Sequence, residues 1–212
     1  MDNMATKGYM IIVSDKNEKE LCDALKARYI GNNWIDVIES SECCNLDESY
    51  VYIMVGDSVV IDEKVKRPER IIIDLSDSKI LNMIDSDEDL PIVRNMLMDG
   101  ITLSKEAMVG IDYMDIHSVL QGHDNISVGM IHCKSVSNMS GLVKEMIAKA
   151  RVDISECESA YLYMDGDIGL MEVNELANEL DELMGEEANI AFTAAYDSDK
   201  IDEFYAMVLF AV

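Results

Sequence analysis

Two carboxylates spaced three residues apart, in the segment Gly110–Ile116 (GIDYMDI), are the side chains of this sequence that are best arranged for chemistry. Asp112 and Asp115 can together hold a water molecule or a cation. The alternative is structural: Asp112 caps a helix over Tyr113–Leu120, and Asp115 is a solvated acid in the first turn, where the helix dipole favours it. Both interpretations stay open from the residues alone, and the capping role is the more common one.

The cysteines and histidines show no pattern of a disulfide framework, a metal site or a catalytic site. The five cysteines include no CxxC pair and no regular disulfide spacing, which fits a reducing cytoplasm. His132 and Cys133 are neighbours within a predicted strand, so they point to opposite faces and do not favour a shared metal. Cys43 and Cys44 lie in an acidic segment, whose negative field disfavours a reactive thiolate. We therefore expect no metal site, no cofactor and no catalytic residue among these groups.

Net charge excludes two classes of partner. The 212 residues include 42 acidic and 17 basic side chains, which gives a formal charge of −25. Such a surface repels phosphate backbones and anionic lipids, so we expect no nucleic-acid binding and no membrane binding. No apolar run approaches the roughly 20 residues that a spanning helix needs, and we expect a cytoplasmic protein.

The amino-terminal half has the pattern of an α/β domain. Short apolar runs rich in β-branched residues predict strands, and fourfold spacing of apolar residues predicts a helix after the first strand. The charged stretch Asp57–Arg70 favours a loop or an edge hairpin. Ser76–Gly100 favours two helical pieces around Asp85–Pro91, with Ile80, Leu81 and Ile84 in the first piece. The predicted strands are Tyr9–Val13, Trp34–Ile38, Tyr50–Val55 and Arg70–Leu75, and the predicted helix is Asn17–Tyr29.

The carboxy-terminal half predicts a β-α-β-α-β-β unit, with two amphipathic helices that can cover one face of a four-stranded sheet. The boundary is expected near Gly100–Lys105, which separates residues 1–104 from residues 105–212. The predicted elements are strand Ser127–Cys133, helix Ser140–Arg151, strand Ala160–Asp165, helix Leu170–Met184, strand Asn189–Tyr196 and strand Phe204–Val212.

Motifs in the last forty residues resemble the carboxy-terminal domain of the FtsZ/tubulin superfamily. Glu172–Glu175 (EVNE) matches the family's helix signature EVNEAA, and Ala188–Phe192 (ANIAF) matches its strand signature ANIIF. Asp197 falls on the acid that closes that strand. Upstream, Ala160–Met164 and Ser127–Met130 fall on two further strands of the family, so the resemblance runs from about Asp99 to the end.

Gly110–Ile116 resembles the family's synergy loop, NVDFADV, with glycine in place of the asparagine. In the family, this loop enters the nucleotide pocket of a neighbouring subunit and helps to position the attacking water. The resemblance therefore implies that Asp112 and Asp115 can act in trans beside a γ-phosphate.

The glycine-rich loop by which FtsZ binds GTP has no counterpart in this sequence. Only glycine lets successive backbone amides converge on phosphates, and the isolated Gly31 and Gly56 lie in turn-like or acidic surroundings. The segment before the synergy-like loop is also much shorter than the family's nucleotide domain. We therefore expect the amino-terminal half to be truncated or replaced, and we expect no GTPase activity.

These features favour an interaction protein, a divergent relative of FtsZ that assembles with itself or with an FtsZ. The alternative is a small-molecule-binding or enzymatic domain, with a pocket at the strand ends of the amino-terminal half. A third possibility, guanine nucleotide bound through an unrecognised loop, lacks the phosphate cradle that such binding needs.

Overall fold

The computed structural model describes residues 8–14, 18–42, 50–56, 70–84, 86–103, 105, 107–123, 125–133, 141–185, 187–197 and 203–212. The chain forms two compact units, Met1–Leu90 and Pro91–Val212. The expectation that residues 1–104 are a truncated or replaced domain concerns the origin of this half and stays a prediction. The stretch Asp57–Arg70, predicted to be a loop or an edge hairpin, lies outside the described residues apart from Arg70, and Cys43 and Cys44 also lie outside them.

The first unit contains a parallel four-stranded sheet in the order β2-β1-β3-β4. Its central strands β1 and β3 are almost continuously apolar, as expected where both faces of a parallel sheet are covered. Ile11, Ile53 and Ile73 pair across neighbouring strands and are fully buried. Its elements are β1 (Gly8–Val13), α1 (Glu18–Arg28), β2 (Ile35–Glu39), β3 (Tyr50–Gly56), β4 (Ile71–Ser76) and α2 (Asp77–Leu81).

The helical prediction for residues 76–100 holds with one correction. The structure has two helices there, but α2 ends at Leu81, so Ile84, predicted to lie in the first helical piece, lies beyond the observed helix. The chain then makes a single 3₁₀ turn over Asp87–Asp89, where Ser86 accepts a hydrogen bond from the Glu88 amide. This turn leads into the long helix that opens the second unit.

The second unit contains a mixed sheet in the order β5-β8-β6-β7, in which β6 and β7 are parallel and β8 is antiparallel to both β5 and β6. This confirms the predicted α/β class and the β-α-β-α-β-β unit on a four-stranded sheet. The elements are α3 (Leu90–Thr102), α4 (Tyr113–Leu120), β5 (Ile126–Cys133), α5 (Leu142–Ala150), β6 (Ser159–Gly166), α6 (Leu170–Met184), β7 (Asn189–Tyr196) and β8 (Phe204–Ala211).

One face of the second sheet packs against α5 and α6. Val143 and Leu176 from these helices share a buried cluster with Leu162 and Phe204 from the strands. Helix α5 comes very close to β5 at Gly129, because a Cβ there would lie 2.1 Å from the Met146 carbonyl oxygen. Only glycine allows this approach, so the cluster on this face is tightly closed.

Alternation along β6 sends a different set of side chains to the opposite face. Tyr161, Tyr163 and Asp165 point there, since successive residues of a strand point to opposite sides. Tyr161 donates its hydroxyl to the Gly100 carbonyl oxygen of α3 at 2.8 Å. A Cβ on Gly100 would lie 2.6 Å from the Tyr163 ring, so this glycine lets α3 lie close to the sheet. Helix α3 therefore closes the face on which Asp165 lies.

Candidate interaction site

Asp112 and Asp115 form a reciprocal cap at the start of α4. Asp112 Oδ1 accepts from the backbone amides of Met114 at 2.7 Å and Asp115 at 3.2 Å. Asp115 Oδ2 in turn accepts from the Asp112 amide at 2.9 Å. Asp112 is the N-cap residue and has an extended backbone, and Asp115 lies in the first helical turn. Aspartate is favoured at a cap, and the pair forms a reciprocal capping box. The capping role is therefore present in the structure.

The cap leaves part of each carboxylate available. It uses one oxygen of each group, and both residues are exposed. The second oxygens can still accept hydrogen bonds from a water or approach a cation of another molecule. The trans-acting role of Asp112 and Asp115 thus stays a prediction that is compatible with their capping role.

The segment before this cap is attached to the end of β7. Leu103 turns the chain out of α3 with a positive φ of 52°. The amides of Met108 and Val109 donate to the Ala194 carbonyl oxygen at 2.6 and 3.2 Å, and the Ala194 amide donates back to Val109 at 3.3 Å. Thr193 also donates its hydroxyl to the Val109 carbonyl. These bonds fix the segment only three residues before Asp112.

An ion pair attaches the same segment to β6. Lys105 Nζ lies 2.6 Å from Asp165 Oδ2 and 3.5 Å from Asp197 Oδ2. The Asp165 side chain is fully buried, whereas those of Lys105 and Asp197 are 32% and 29% exposed. A buried carboxylate is stable in a protein only when it is paired, so Lys105 is needed where it lies.

Tyr163 lies within the field of these acids. Burial raises the pKa of its hydroxyl, and the charges of Asp165, Asp99 and Asp197 raise it further. Among the described residues, this buried hydroxyl has no hydrogen-bond partner. Asp165, Asp99 and Asp197 therefore place negative charge on this face of the sheet, which favours a nearby cation such as the Lys105 ammonium.

Exposed apolar side chains gather at the same end of the sheet. We call this end the carboxyl edge, defined by Leu103, Lys105 and residues 107–115, 165–172 and 194–197. It holds five of the eight large apolar side chains that are exposed among the described residues. They are Met108, Met114, Leu170, Met171 and Tyr196. Single exposed apolar residues are ordinary, but such a concentration typically marks an interaction surface.

A serine and a histidine that the sequence did not connect meet elsewhere in this unit. Ser159 Oγ lies 3.2 Å from His123 Nε2, and the serine hydroxyl donates to the Val119 carbonyl. Because the hydroxyl proton is used in that bond, His123 must donate to Ser159, so it is not placed to act as a base. The pair links the α4–β5 turn to β6 and is structural.

The other histidines and the cysteines have ordinary surroundings. Burial lowers the pKa of His117, whose ring lies 5.7 Å from that of Tyr113. His132 stacks on Tyr205 at 4.2 Å on the exposed side of β5. Burial raises the pKa of Cys133, which lies against the core on the other side of the strand. Among the described residues, no three histidine, cysteine or acidic side chains are grouped so as to hold a metal ion.

Sequence reasoning located the cap and missed the ion pair. Asp165 ends an apolar strand, where an acid normally indicates that the strand stops, and Lys105 is 60 residues away. The only local signal was the alternation of β6, which puts Asp165 on the same face as two tyrosines.

No model of a known protein family matches the sequence. Several solved structures match the fold, and in each case the match covers 92% of this chain. FtsZ from M. jannaschii, solved as an empty dimer, matches with a TM-score of 0.60 and 14% identity over 67% of the FtsZ chain. The W319Y mutant of the same FtsZ matches with a TM-score of 0.59 and 14% identity over 70% of that chain. CetZ2 from Haloferax volcanii, solved as a GTPγS-bound protofilament, matches with a TM-score of 0.52 and 12% identity over 70% of its chain.

These matches confirm the resemblance at the level of the fold: the chain has an FtsZ-like fold. The covered share exceeds the second unit, so the likeness also includes most of the first unit, beyond the segment in which the sequence motifs lie. Across the described residues, no helix is both long enough and apolar enough to cross a membrane.

Proposed function

We propose that this chain is an assembly protein without GTPase activity, which docks its carboxyl edge on another subunit of FtsZ-like fold, either a second copy or an FtsZ. The concentration of exposed apolar side chains at this edge is the observation that carries the proposal. Leu170, Met171 and Tyr196 are 57%, 83% and 58% exposed, so they gain most by being covered. Neighbours of the same fold were solved as a dimer and as a protofilament, which supports a subunit as the occupant.

Net charge predicts how salt affects self-association. Residues 1–90 hold 10 basic and 20 acidic side chains, and residues 91–212 hold 7 and 22, so both units are acidic and together give −25. Two copies of the chain repel each other, and salt screens that repulsion over a distance of about 10 Å at 0.1 M. Self-association should therefore strengthen as salt rises, whereas binding to a basic surface should weaken.

Sedimentation velocity tests the proposal directly. The chain alone, and the chain mixed with an FtsZ, are compared at low and high salt. A faster-sedimenting species under either condition supports assembly. Its presence in the chain alone identifies a second copy as the partner, and its presence only in the mixture identifies the FtsZ. A chain that stays monomeric in all four samples contradicts the proposal.

The role of the synergy-like loop is tested by removing charge while keeping the cap. Asparagine is as good a cap residue as aspartate, so Asp112→Asn with Asp115→Asn preserves α4, whereas alanine would also uncap it. If the loop acts in trans, the variant loses its effect on the GTP turnover of an FtsZ. Asp153→Asn is the matched control, because Asp153 is another exposed cap, bonded to Ser155. An unchanged effect of the double variant removes the loop from the proposal.

The absence of GTPase activity is inferred from the missing glycine-rich loop. Calorimetry with GTP and GDP, with and without magnesium, tests it at micromolar protein. No heat of binding is expected, and measurable binding would require a phosphate site of another kind.

A second candidate function, binding of a small molecule, is favoured by the topology of the first unit. In the order β2-β1-β3-β4, the chain leaves β1 and β3 in opposite directions, and ligands of open α/β sheets bind beyond the carboxyl ends of such strands. Ser14 and Gly56 lie at these ends, and the Ser14 amide donates to Val55. A metabolite that raises the melting temperature of a monomeric chain would support this candidate over assembly.

A further inference from the structure

Asp165 is an unusual residue for its place in the sheet. It lies in β6, an interior strand, opposite Ala195 of β7 and Tyr205 of β8. Its side chain is fully buried, and an ionised carboxylate loses its hydration there. An apolar pair of similar volume is often as stable as a buried ion pair, so stability alone does not explain why an acid and a lysine occupy these positions.

The lysine that pairs with it belongs to a connecting segment and not to a helix or strand. Lys105 follows the left-handed turn at Leu103 and precedes the backbone bonds of Met108 and Val109 to Ala194. The ion pair and the backbone bonds therefore hold the same segment at two points, one on β6 and one on β7. The loop that carries Asp112 begins immediately after the second point.

The partners of Lys105 also span the edge. Asp165 is the penultimate residue of β6 and Asp197 follows β7, and these strands are parallel, so both acids lie at the same end of the sheet. One ammonium placed between two carboxylates has a defined position, whereas a lysine paired with a single surface acid does not. Tyr196, one of the exposed apolar side chains, directly precedes Asp197.

We propose that Lys105 is a positioning residue of the carboxyl edge: its ammonium ties the segment between α3 and α4 to Asp165 and Asp197, and so sets where Met108 and Asp112 are presented to a docking subunit. This inference rests on the proposed function for its biological meaning, but the placement of the segment can be measured without assembly.

The experiment removes the ion pair without leaving a buried charge. In the full chain, Lys105→Met with Asp165→Leu replaces both groups by apolar side chains, which should fold. Hydrogen exchange then measures the Met108 and Val109 amides, and sedimentation velocity measures assembly. Lys149→Met is the matched control, because Lys149 pairs with Glu145 at 3.2 Å on the surface of α5.

We expect the Met108 and Val109 amides of the double variant to exchange about tenfold faster, while β6 amides such as Leu162 stay protected, and we expect assembly to be lost. Exchange at the wild-type rate, or assembly that survives faster exchange, would overturn the inference. If the wild-type chain does not assemble, the proposed function fails, and the exchange rates still decide whether Lys105 positions the segment.

Asp197→Asn serves as a second variant if the double variant does not fold. Asp197 is partly exposed, so its neutralisation leaves the core intact and removes only one partner of Lys105. A smaller acceleration at Met108 and Val109, absent from Lys149→Met, is expected. Unchanged exchange in this variant would overturn the inference as well.

Discussion

The two units of this chain differ in how many polar side chains they bury and how many large apolar side chains they expose. In the first unit, the central strands are apolar runs in register, and, tyrosines aside, Ser76 is the one buried polar side chain among its described residues. The second unit holds the other six that the structure describes, including Asp99 and Asp165, together with the cluster of exposed apolar side chains. Departures of this kind usually mark function, because they cost stability that a core does not need to lose.

Two ion pairs, each between a lysine and an aspartate, show this difference between the units. In the first unit, Lys79 lies 3.5 Å from Asp74, and its side chain is half exposed. In the second, Lys105 lies 2.6 Å from the fully buried Asp165. Surface pairs contribute roughly 0–1 kcal/mol, whereas breaking a buried pair costs about 3–5 kcal/mol. The same two residue types thus have different importance in the two units.

The largest effect is expected for Lys105→Met, which leaves Asp165 buried without its cation. The free energy of unfolding should fall by about 3 kcal/mol, at the lower end of the range because Lys105 is partly exposed. Lys79→Met should change it by less than about 1 kcal/mol. Urea unfolding followed by circular dichroism measures both, and fluorescence of Trp34, the single tryptophan, follows the first unit separately. Equal losses of unfolding free energy in the two variants would contradict the expected difference between the buried and the exposed ion pair.

The next effect tests how closely α3 packs on the second sheet. Gly100→Ala should lower the free energy of unfolding by about 1–3 kcal/mol, because the new Cβ would lie 2.6 Å from the Tyr163 ring. In a helix without this contact, the same change would gain up to about 1 kcal/mol. Gly110→Ala is the control, since its Cβ would meet nothing within 4 Å. A stabilised Gly100→Ala variant would show that α3 packs less closely on the second sheet at Tyr163.

Two tyrosines on the same strand should give opposite signs. Tyr161→Phe removes a hydroxyl that donates to Gly100 at 2.8 Å, so it should lose about 1 kcal/mol. Tyr163→Phe removes a buried hydroxyl that has no hydrogen-bond partner among the described residues, so it should be neutral or slightly stabilising. Chemical denaturation of the two variants side by side measures the difference. A loss at Tyr163 as large as that at Tyr161 would mean that its hydroxyl is bonded after all.

The sequence predicted the elements better than the site. Helices α4 and α6 and strand β7 have the predicted bounds, because apolar spacing and nearby turn residues define them locally. The cap at Asp112 is also local, since its partners lie two and three residues away. The Lys105–Asp165 pair joins distant positions, and no local pattern distinguishes a buried terminal acid from a solvated one.

The smallest effect is a pH dependence confined to the second unit. Burial lowers the pKa of His117, so the native state favours the neutral imidazole. The unfolded chain gains its proton near pH 6.5, so this contribution is complete above that pH and is lost as the pH falls towards the native pKa. His117→Gln should flatten part of the slope of stability against pH below about 6.5. A variant whose slope below pH 6.5 equals that of the wild type would contradict the assignment.

The most direct test of assembly through the carboxyl edge compares exposed apolar side chains in the two units. Leu170→Ser with Met171→Ser changes the edge, and Ile30→Ser with Trp34→Ser changes two side chains of the first unit that are 86% and 57% exposed. Sedimentation velocity, with and without an FtsZ, should show that the edge variant loses the assembled species while the first-unit variant keeps it. Assembly that survives in the edge variant, or that is lost in both, would contradict the account.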